Sequence, residues 1–228
     1  MDGEHFDEQL AEDSYNFIVQ TNRLFGAYAP IKKFITRLVK QSTSNEPLQI
    51  IDVGSGIGDI PNHVSQALIS EPHQTHFTCV EYNEHAITMG KKHYSNNSAL
   101  TFIQADAFSF TPADKTVFDG ATACMFLHHL SYDEIGQLIN HLSTIVRGRI
   151  LICDLHRSLL PYLATWIWSI FQSSGVRHDA LLSIQKGFTR RDLKQEIETL
   201  DCVEKIIQRG GFGLRMELEI HLKYQEGK

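Results

Sequence analysis

The stretch Ile50-Ile51-Asp52-Val53-Gly54-Ser55-Gly56-Ile57-Gly58-Asp59 constrains this chain more than any other. An apolar strand runs straight into a glycine-rich turn, and a helix with Pro61 in its first turn follows. Glycines spaced G-x-G-x-G let the backbone come close to a ligand, and the helix N-terminus behind them offers unpaired N–H groups. That is a cofactor cradle. The dinucleotide fingerprint requires G-x-G-x-x-G, its third glycine packing helix against strand. Here Gly58 falls one residue early and Asp59 takes the required position. A carboxylate there repels a pyrophosphate and suits a cofactor with no phosphate. Asp59 is equally a fitting N-cap for a helix beginning Ile60-Pro61, a reading that needs no ligand.

Three more strands follow the first. His76–Val80 ends in Glu81-Tyr82, 23 residues beyond Gly58, where a carboxylate can accept both hydroxyls of an adenosine ribose. Leu100–Ala105 ends at Asp106-Ala107, where a carboxylate can meet the exocyclic amine of adenine. Val117–Met125 reaches the other side of the same crevice. In open parallel sheets, ligands bind outside the carboxyl ends of the strands where the strand order reverses. Asp52, Glu81 and Asp106 therefore stand at three successive strand ends.

With these motifs in place, the chain resembles the class I S-adenosylmethionine-dependent methyltransferases of the small-molecule kind, similar to the ubiquinone/menaquinone biosynthesis group. The family's glycine motif corresponds to Ile51–Gly58, its ribose-binding acid to Glu81 and its adenine-side acid to Asp106. The segment after its fourth strand corresponds to Cys124-Met125-Phe126-Leu127-His128-His129. The resemblance implies S-adenosylmethionine as cofactor, held by Asp52, Gly54, Ser55, Gly56, Glu81, Tyr82, Asp106, Ala107 and Met125. It implies an α/β fold, Rossmann-like and doubly wound, with a mostly parallel seven-stranded sheet and a C-terminal antiparallel hairpin. An N-terminal helical cap over residues 1–47 would precede the methyltransferase domain at 48–228, within one structural domain. One departure stands out. Such proteins often carry Pro-Gly-Gly before strand five, where this chain has Arg147-Gly148-Arg149; a surface turn tolerates the change.

Composition narrows the partners. At 228 residues, one domain can bury a substantial core. The formal charge of −6 weighs against a general nucleic-acid binder, so no nucleic acid is expected as methyl acceptor. Lys32-Lys33, Arg190-Arg191 and the Arg147/Arg149 pair read as solvated faces. Cysteines 79, 124, 153 and 202 form no C-x-x-C pair and read as buried thiols of a reducing compartment. With no signal peptide and no run of the ~18–20 apolar residues a membrane span requires, the expected location is cytoplasmic.

Ser14–Lys40 carries apolar residues at helical spacing, broken near Gly26 and Pro30, which predicts two helices. They either pack on a sheet edge or cover the active site; in the second case Tyr15 and Tyr28 are the residues to watch. Helices begin at Asn83, at the capping box Ser131–Glu134 and at Thr189. Strand five is Ile150–Cys153, and Val203–Gln208 and Leu214–Tyr224 form the closing hairpin around Arg209–Gly213.

Twelve histidines make any single one weak evidence, and no metal-ligand pattern emerges. His128 and His129 differ by following strand four at the crevice mouth. His156 lies two residues beyond Asp154, on the same side of an extended stretch, so the two can act as base and orienter. The rival readings are a loop-shaping tandem and an Asp154–Arg157 ion pair. Leu159–Phe171 is apolar on nearly every face; it reads as a buried helix or as an acceptor-pocket wall carrying Trp166, Trp168 and Phe171. Peripheral membrane contact is a third reading. Arg177 or His178, on the loop after it, can reach an anionic or phenolic group. The function expected is methylation, at oxygen or carbon, of a small hydrophobic or aromatic acceptor. The alternatives are a non-catalytic S-adenosylmethionine-binding partner or sensor and, disfavoured by the glycine spacing, a nicotinamide-dependent oxidoreductase.

Overall fold

Ile31, Phe34, Ile35, Leu38 and Val39 fall on one stripe of a helix, and that stripe is buried. It covers Ile50, Phe77 and Leu151 of the central sheet. On the opposite face Ile135, Leu138, Ile139 and Leu142 form a second stripe over Ile51, Ile150, Ile152, Leu218 and Ile220. Residues such as Ile50 and Ile51 are neighbours in sequence yet belong to opposite layers, because side chains alternate across a strand. Strands buried on both faces need two helical layers, and this chain supplies both.

The computed structural model describes residues 8–24, 26–44, 46–69, 74–155, 188–209 and 215–223. In chain order these form α1 (Glu8–Leu24), α2 (Tyr28–Gln41), β1 (Leu48–Val53), α3 (Asp59–Ala67) and β2 (Thr75–Glu81). Then come α4 (Glu84–His93), β3 (Leu100–Gln104), β4 (Gly120–Cys124), a short 3-10 turn (Leu127–His129), α5 (Tyr132–Ile145) and β5 (Arg149–Leu155). The last three are α6 (Arg190–Glu198), β6 (Val203–Arg209) and β7 (Arg215–Leu222). The seven strands lie in the order β3-β2-β1-β4-β5-β7-β6. β1 pairs in parallel with both β2 and β4, so the order reverses beside it. β7 is antiparallel to β5 and to β6, as the predicted terminal hairpin requires.

The predicted helix caps are present. Asn83 accepts from the backbone of His85 and Ala86, Ser131 and Glu134 form the reciprocal box, and Thr189 accepts from Asp192. Strand bounds shift from the sequence reading by a residue or more, and in two strands the shift bears on the site. β4 starts at Gly120 because Asp119 turns its carboxylate to the Gln49 N–H and its own N–H to the Gln49 carbonyl. β5 runs on to Leu155, paired with β7 to its end, so Asp154 lies inside the strand. Two of the arginines read as solvated, Arg149 and Arg190, have partners, while Arg147 and Arg191 are exposed as expected. Arg149, with Arg37 and Arg209, holds the buried Glu219 carboxylate at 3.4, 2.6 and 3.0 Å, fastening α2 to the β7 side of the sheet. Arg190 donates to the Arg215 carbonyl. Among the described residues, no helix is long and apolar enough to cross a membrane.

Candidate active site

The strand β1 ends in a turn built on left-handed backbone. Gly54, Gly56 and Gly58 have φ of +66°, +54° and +78°, which glycine adopts without the penalty other residues meet. At Gly54 the neighbour is protein: an added Cβ would stand 2.5 Å from Cγ of Phe126, which follows β4. At Gly56 a Cβ would meet nothing within 4 Å among the described residues, so this backbone is open on the crevice side. Gly58 caps α3 without a side-chain bond, and Asp59 is the helix's first residue rather than its cap.

Glu81 ends β2 beside this turn. Its Oε2 accepts the Gly56 N–H at 3.0 Å and its Oε1 the Asn83 N–H at 2.9 Å. An ionised carboxylate has about four acceptor positions, so two bonds leave one further position on each oxygen. Asp106 accepts the Phe108 N–H at 2.9 Å, shaping the turn after β3, and Ala107 behind it is buried. Tyr82 is 77% exposed, its ring free of the core. Ser55 is buried, its hydroxyl donating to the Asp52 carbonyl at 2.6 Å. Met125 has φ +56°, rare for a side chain of its kind, and this bend turns the chain out of β4 into the 3-10 turn.

Asp52 stands apart from the other two strand-end acids. It is buried, on the α2/α3 face of the sheet, and accepts the Thr122 hydroxyl from β4. Burial, reinforced by the charges of Asp59 and Glu81 and only partly offset by Thr122, pushes its carboxyl up to about 7. Unfolded, the group ionises near ~3.9. Between these values the folded chain binds more protons, so this group makes stability fall as pH rises, by up to ~1.4 kcal/mol per unit, levelling above about 7. Asp52→Asn cannot ionise and is expected to lack that fall. Urea-unfolding midpoints of both chains across this range check it; parallel midpoints would mean Asp52 is not protonated in the fold.

The histidine tandem separates into two environments. His128 is buried, its Nδ1 2.8 Å from Oδ1 of Asp154, which is itself buried in β5. Asp154 Oδ2 accepts the backbone N–H groups of Phe126 at 3.1 Å and His128 at 3.3 Å. One carboxylate thus holds both the imidazole and the turn that carries it. Because a carboxylate accepts, Nδ1 carries the hydrogen, and in the neutral ring Nε2 has the lone pair. His129 is exposed, its ring 4.1 Å from that of His128. The orienter predicted for His156 is therefore engaged by His128. His156, Arg157, Trp166, Trp168, Phe171, Arg177 and His178 lie outside the described residues.

The N-terminal helices reach this edge. Tyr15 packs against Ile57, Ala86 and Met89, and burial together with the Glu81 charge pushes its hydroxyl up to about 12. Tyr28 stacks on His63 at 4.0 Å and donates to Asp59 Oδ2 at 3.3 Å. Asn22 donates to the same oxygen at 3.1 Å, and its own Oδ1 accepts from Arg215 Nη2 at 3.0 Å. Neither Asn22 nor Arg215 stands out in the sequence. Arg215 begins an alternating strand whose polar positions read as a solvent face, until α2 and α1 pack over it.

Residues 50–149 match a family model described as a methyltransferase domain. No curated protein matches the chain by sequence. Among solved structures, the plantazolicin methyltransferase BpumL, in complex with a triazolic desmethylPZN analog and SAH, aligns with TM-score 0.64 at 16% identity. That alignment covers 94% of this chain and 95% of that one. Magnesium protoporphyrin IX methyltransferase from Synechocystis PCC 6803, with bound SAH, gives 0.55 at 14% identity, covering 97% and 90%. The CurJ carbon methyltransferase gives 0.63 at 10% identity over 85% of this chain, which spans 53% of that protein's length. At such identities the likeness is one of fold.

Proposed function

We propose that this chain, which has the class I S-adenosylmethionine-dependent methyltransferase fold and a methyltransferase domain over residues 50–149, methylates a small hydrophobic or aromatic acceptor at oxygen or carbon. The cofactor is S-adenosylmethionine, and the residues at the crevice fit it. Gly56 presents open backbone, Glu81 keeps an acceptor position on each oxygen for the ribose hydroxyls, and Asp106 stands at the next strand end for the adenine amine. Two acids and no basic side chain on the glycine turn suit a ligand without phosphates. Gly54, Ser55, Tyr82, Ala107 and Met125 complete the lining, with Asp52 buried behind it.

When bound, the cofactor supplies a methyl group on a sulfonium, so transfer is an in-line displacement governed by positioning and exclusion of water. The observation that carries the catalytic reading is the buried His128–Asp154 pair. It sits on the turn whose Phe126 packs over Gly54, next to the cofactor loop. Asp154 holds the Nδ1–H, and His128 Nε2 takes the proton that an acceptor O–H or C–H gives up as its bond to carbon forms. His129, exposed beside this pair, is assigned a contact to the substrate, and His156 is assigned the same role from its place in the sequence two residues after Asp154. Tyr15 and α1 close over the glycine turn as the cap. The apolar run 159–171 supports a hydrophobic acceptor, and the unpaired thiols suit a reducing, cytoplasmic setting.

Calorimetric titration with S-adenosylmethionine and S-adenosylhomocysteine, followed by a radiolabelled methyl-transfer screen over phenols, quinols and β-ketoacyl compounds, tests this. Micromolar binding of both ligands and label in an acceptor are expected. Binding without transfer to any class would favour the non-catalytic alternative, and no binding would end the methyltransferase reading.

A further inference from the structure

Arg215 opens β7 opposite Leu155, the last pair of the β5–β7 ladder, and so stands at the carboxyl edge of the parallel strands. It is only 8% exposed. A guanidinium has five N–H donors in a fixed plane, and burying it leaves each in need of an acceptor. One is used: Nη2 donates to the Asn22 amide oxygen. Among the described residues, Nε and Nη1 are buried with no hydrogen-bond partner. Through the Asn22 amide the guanidinium lies one side chain away from Asp59 at the start of α3, beside the cofactor loop.

Asp59 does not satisfy those nitrogens. Its Oδ2 is taken by Asn22 Nδ2 and the Tyr28 hydroxyl, so the Asn22 amide stands between the two charges. Nε and Nη1 therefore carry part of a buried positive charge with no carboxylate on them.

We propose that Arg215 is an oxyanion-binding residue of this site, taking a carboxylate carried by a bound ligand on Nε–H or Nη1–H together with the Nη2 hydrogen not given to Asn22. The inference rests on the methyltransferase reading. The carboxylate comes from one of two sources: the amino-acid end of the cofactor, or an acidic group on the acceptor. In either case Asn22 holds the guanidinium in place, and the anion completes its hydrogen bonds.

The test uses the whole chain, wild type and Arg215→Met. Both are titrated with S-adenosylhomocysteine and with 5′-methylthioadenosine, which lacks the amino-acid end. Their melting temperatures are then compared in benzoate and in benzamide, with S-adenosylhomocysteine saturating. A loss of about tenfold or more for S-adenosylhomocysteine, with methylthioadenosine unchanged, assigns the carboxylate to the cofactor. Unchanged S-adenosylhomocysteine affinity, with a benzoate-specific rise in melting temperature that the variant lacks, assigns it to the acceptor. Affinities within about twofold in both titrations, together with no difference between benzoate and benzamide, overturn the proposal. If Arg215→Met does not fold, Arg215→Gln is read the same way, since its amide keeps a donor for Asn22 and carries no charge for the anion. A wild-type chain that binds neither nucleoside fails the functional reading instead, a result the variant comparison cannot mimic.

Discussion

Replacing His128 by alanine is expected to lower methyl transfer by about 10²–10⁴-fold, the range a positioned general base supplies, while S-adenosylhomocysteine binds as before. The expectation follows from the Asp154 contact, which fixes the hydrogen on Nδ1 and leaves Nε2 as the proton acceptor. Asp154→Asn separates this from a packing effect. Its amide oxygen can still accept the Phe126 and His128 N–H groups, so the turn is retained. Its NH₂, facing Nδ1, instead forces the imidazole to accept there and to carry its hydrogen on Nε2. The ring is then in place and in the wrong tautomer. A loss comparable to that of His128→Ala, with melting temperature within a few degrees of wild type, identifies the base. Turnover within about threefold of wild type in both variants would mean that the acceptor gives up its proton elsewhere and that positioning alone carries the reaction.

Glycine spacing, strand-end acids and helix caps are local signals, and they foretold the β1 turn, the place of Glu81 at the end of β2 and the starts of α4, α5 and α6. Contacts between distant segments are different. His128 and Asp154 are 26 residues apart and meet only because β4 and β5 are neighbours in the sheet. The period-2 spacing of Asp154 and His156 is visible in a strand, whereas the inter-strand adjacency that brings His128 to Asp154 is not. Asp52 looked like a third crevice acid, yet strand alternation sends its side chain to the face it shares with Thr122. Arg215 was invisible for a related reason. Polar residues at alternate positions of β7 resemble a solvent face, and nothing local announces that α2 lies over Glu219 and α1 over Arg215. Local chemistry is written in short windows; burial is decided by the layer that packs on top.

Glu81→Ala is expected to weaken S-adenosylhomocysteine binding by about 10²-fold or more. Two charge-assisted bonds to the ribose hydroxyls contribute roughly 1.5–3 kcal/mol each, and tenfold in affinity is ~1.4 kcal/mol. The same carboxylate also receives the Gly56 and Asn83 N–H groups, so the variant loosens the glycine turn as well. Those N–H groups are near solvent, and water can replace part of what they lose. Ligands lacking the 2′- or 3′-hydroxyl divide the two contributions, in the manner of a double-mutant cycle. If Glu81 holds the ribose, each deoxy analogue binds more weakly than the parent to wild type but equally to the variant, because the partner of the missing hydroxyl is already gone. If instead the analogues lose as much in Glu81→Ala as in wild type, the hydroxyls are bound by other groups. Glu81 would then act only through the turn, holding Gly56 in the left-handed conformation that opens the crevice.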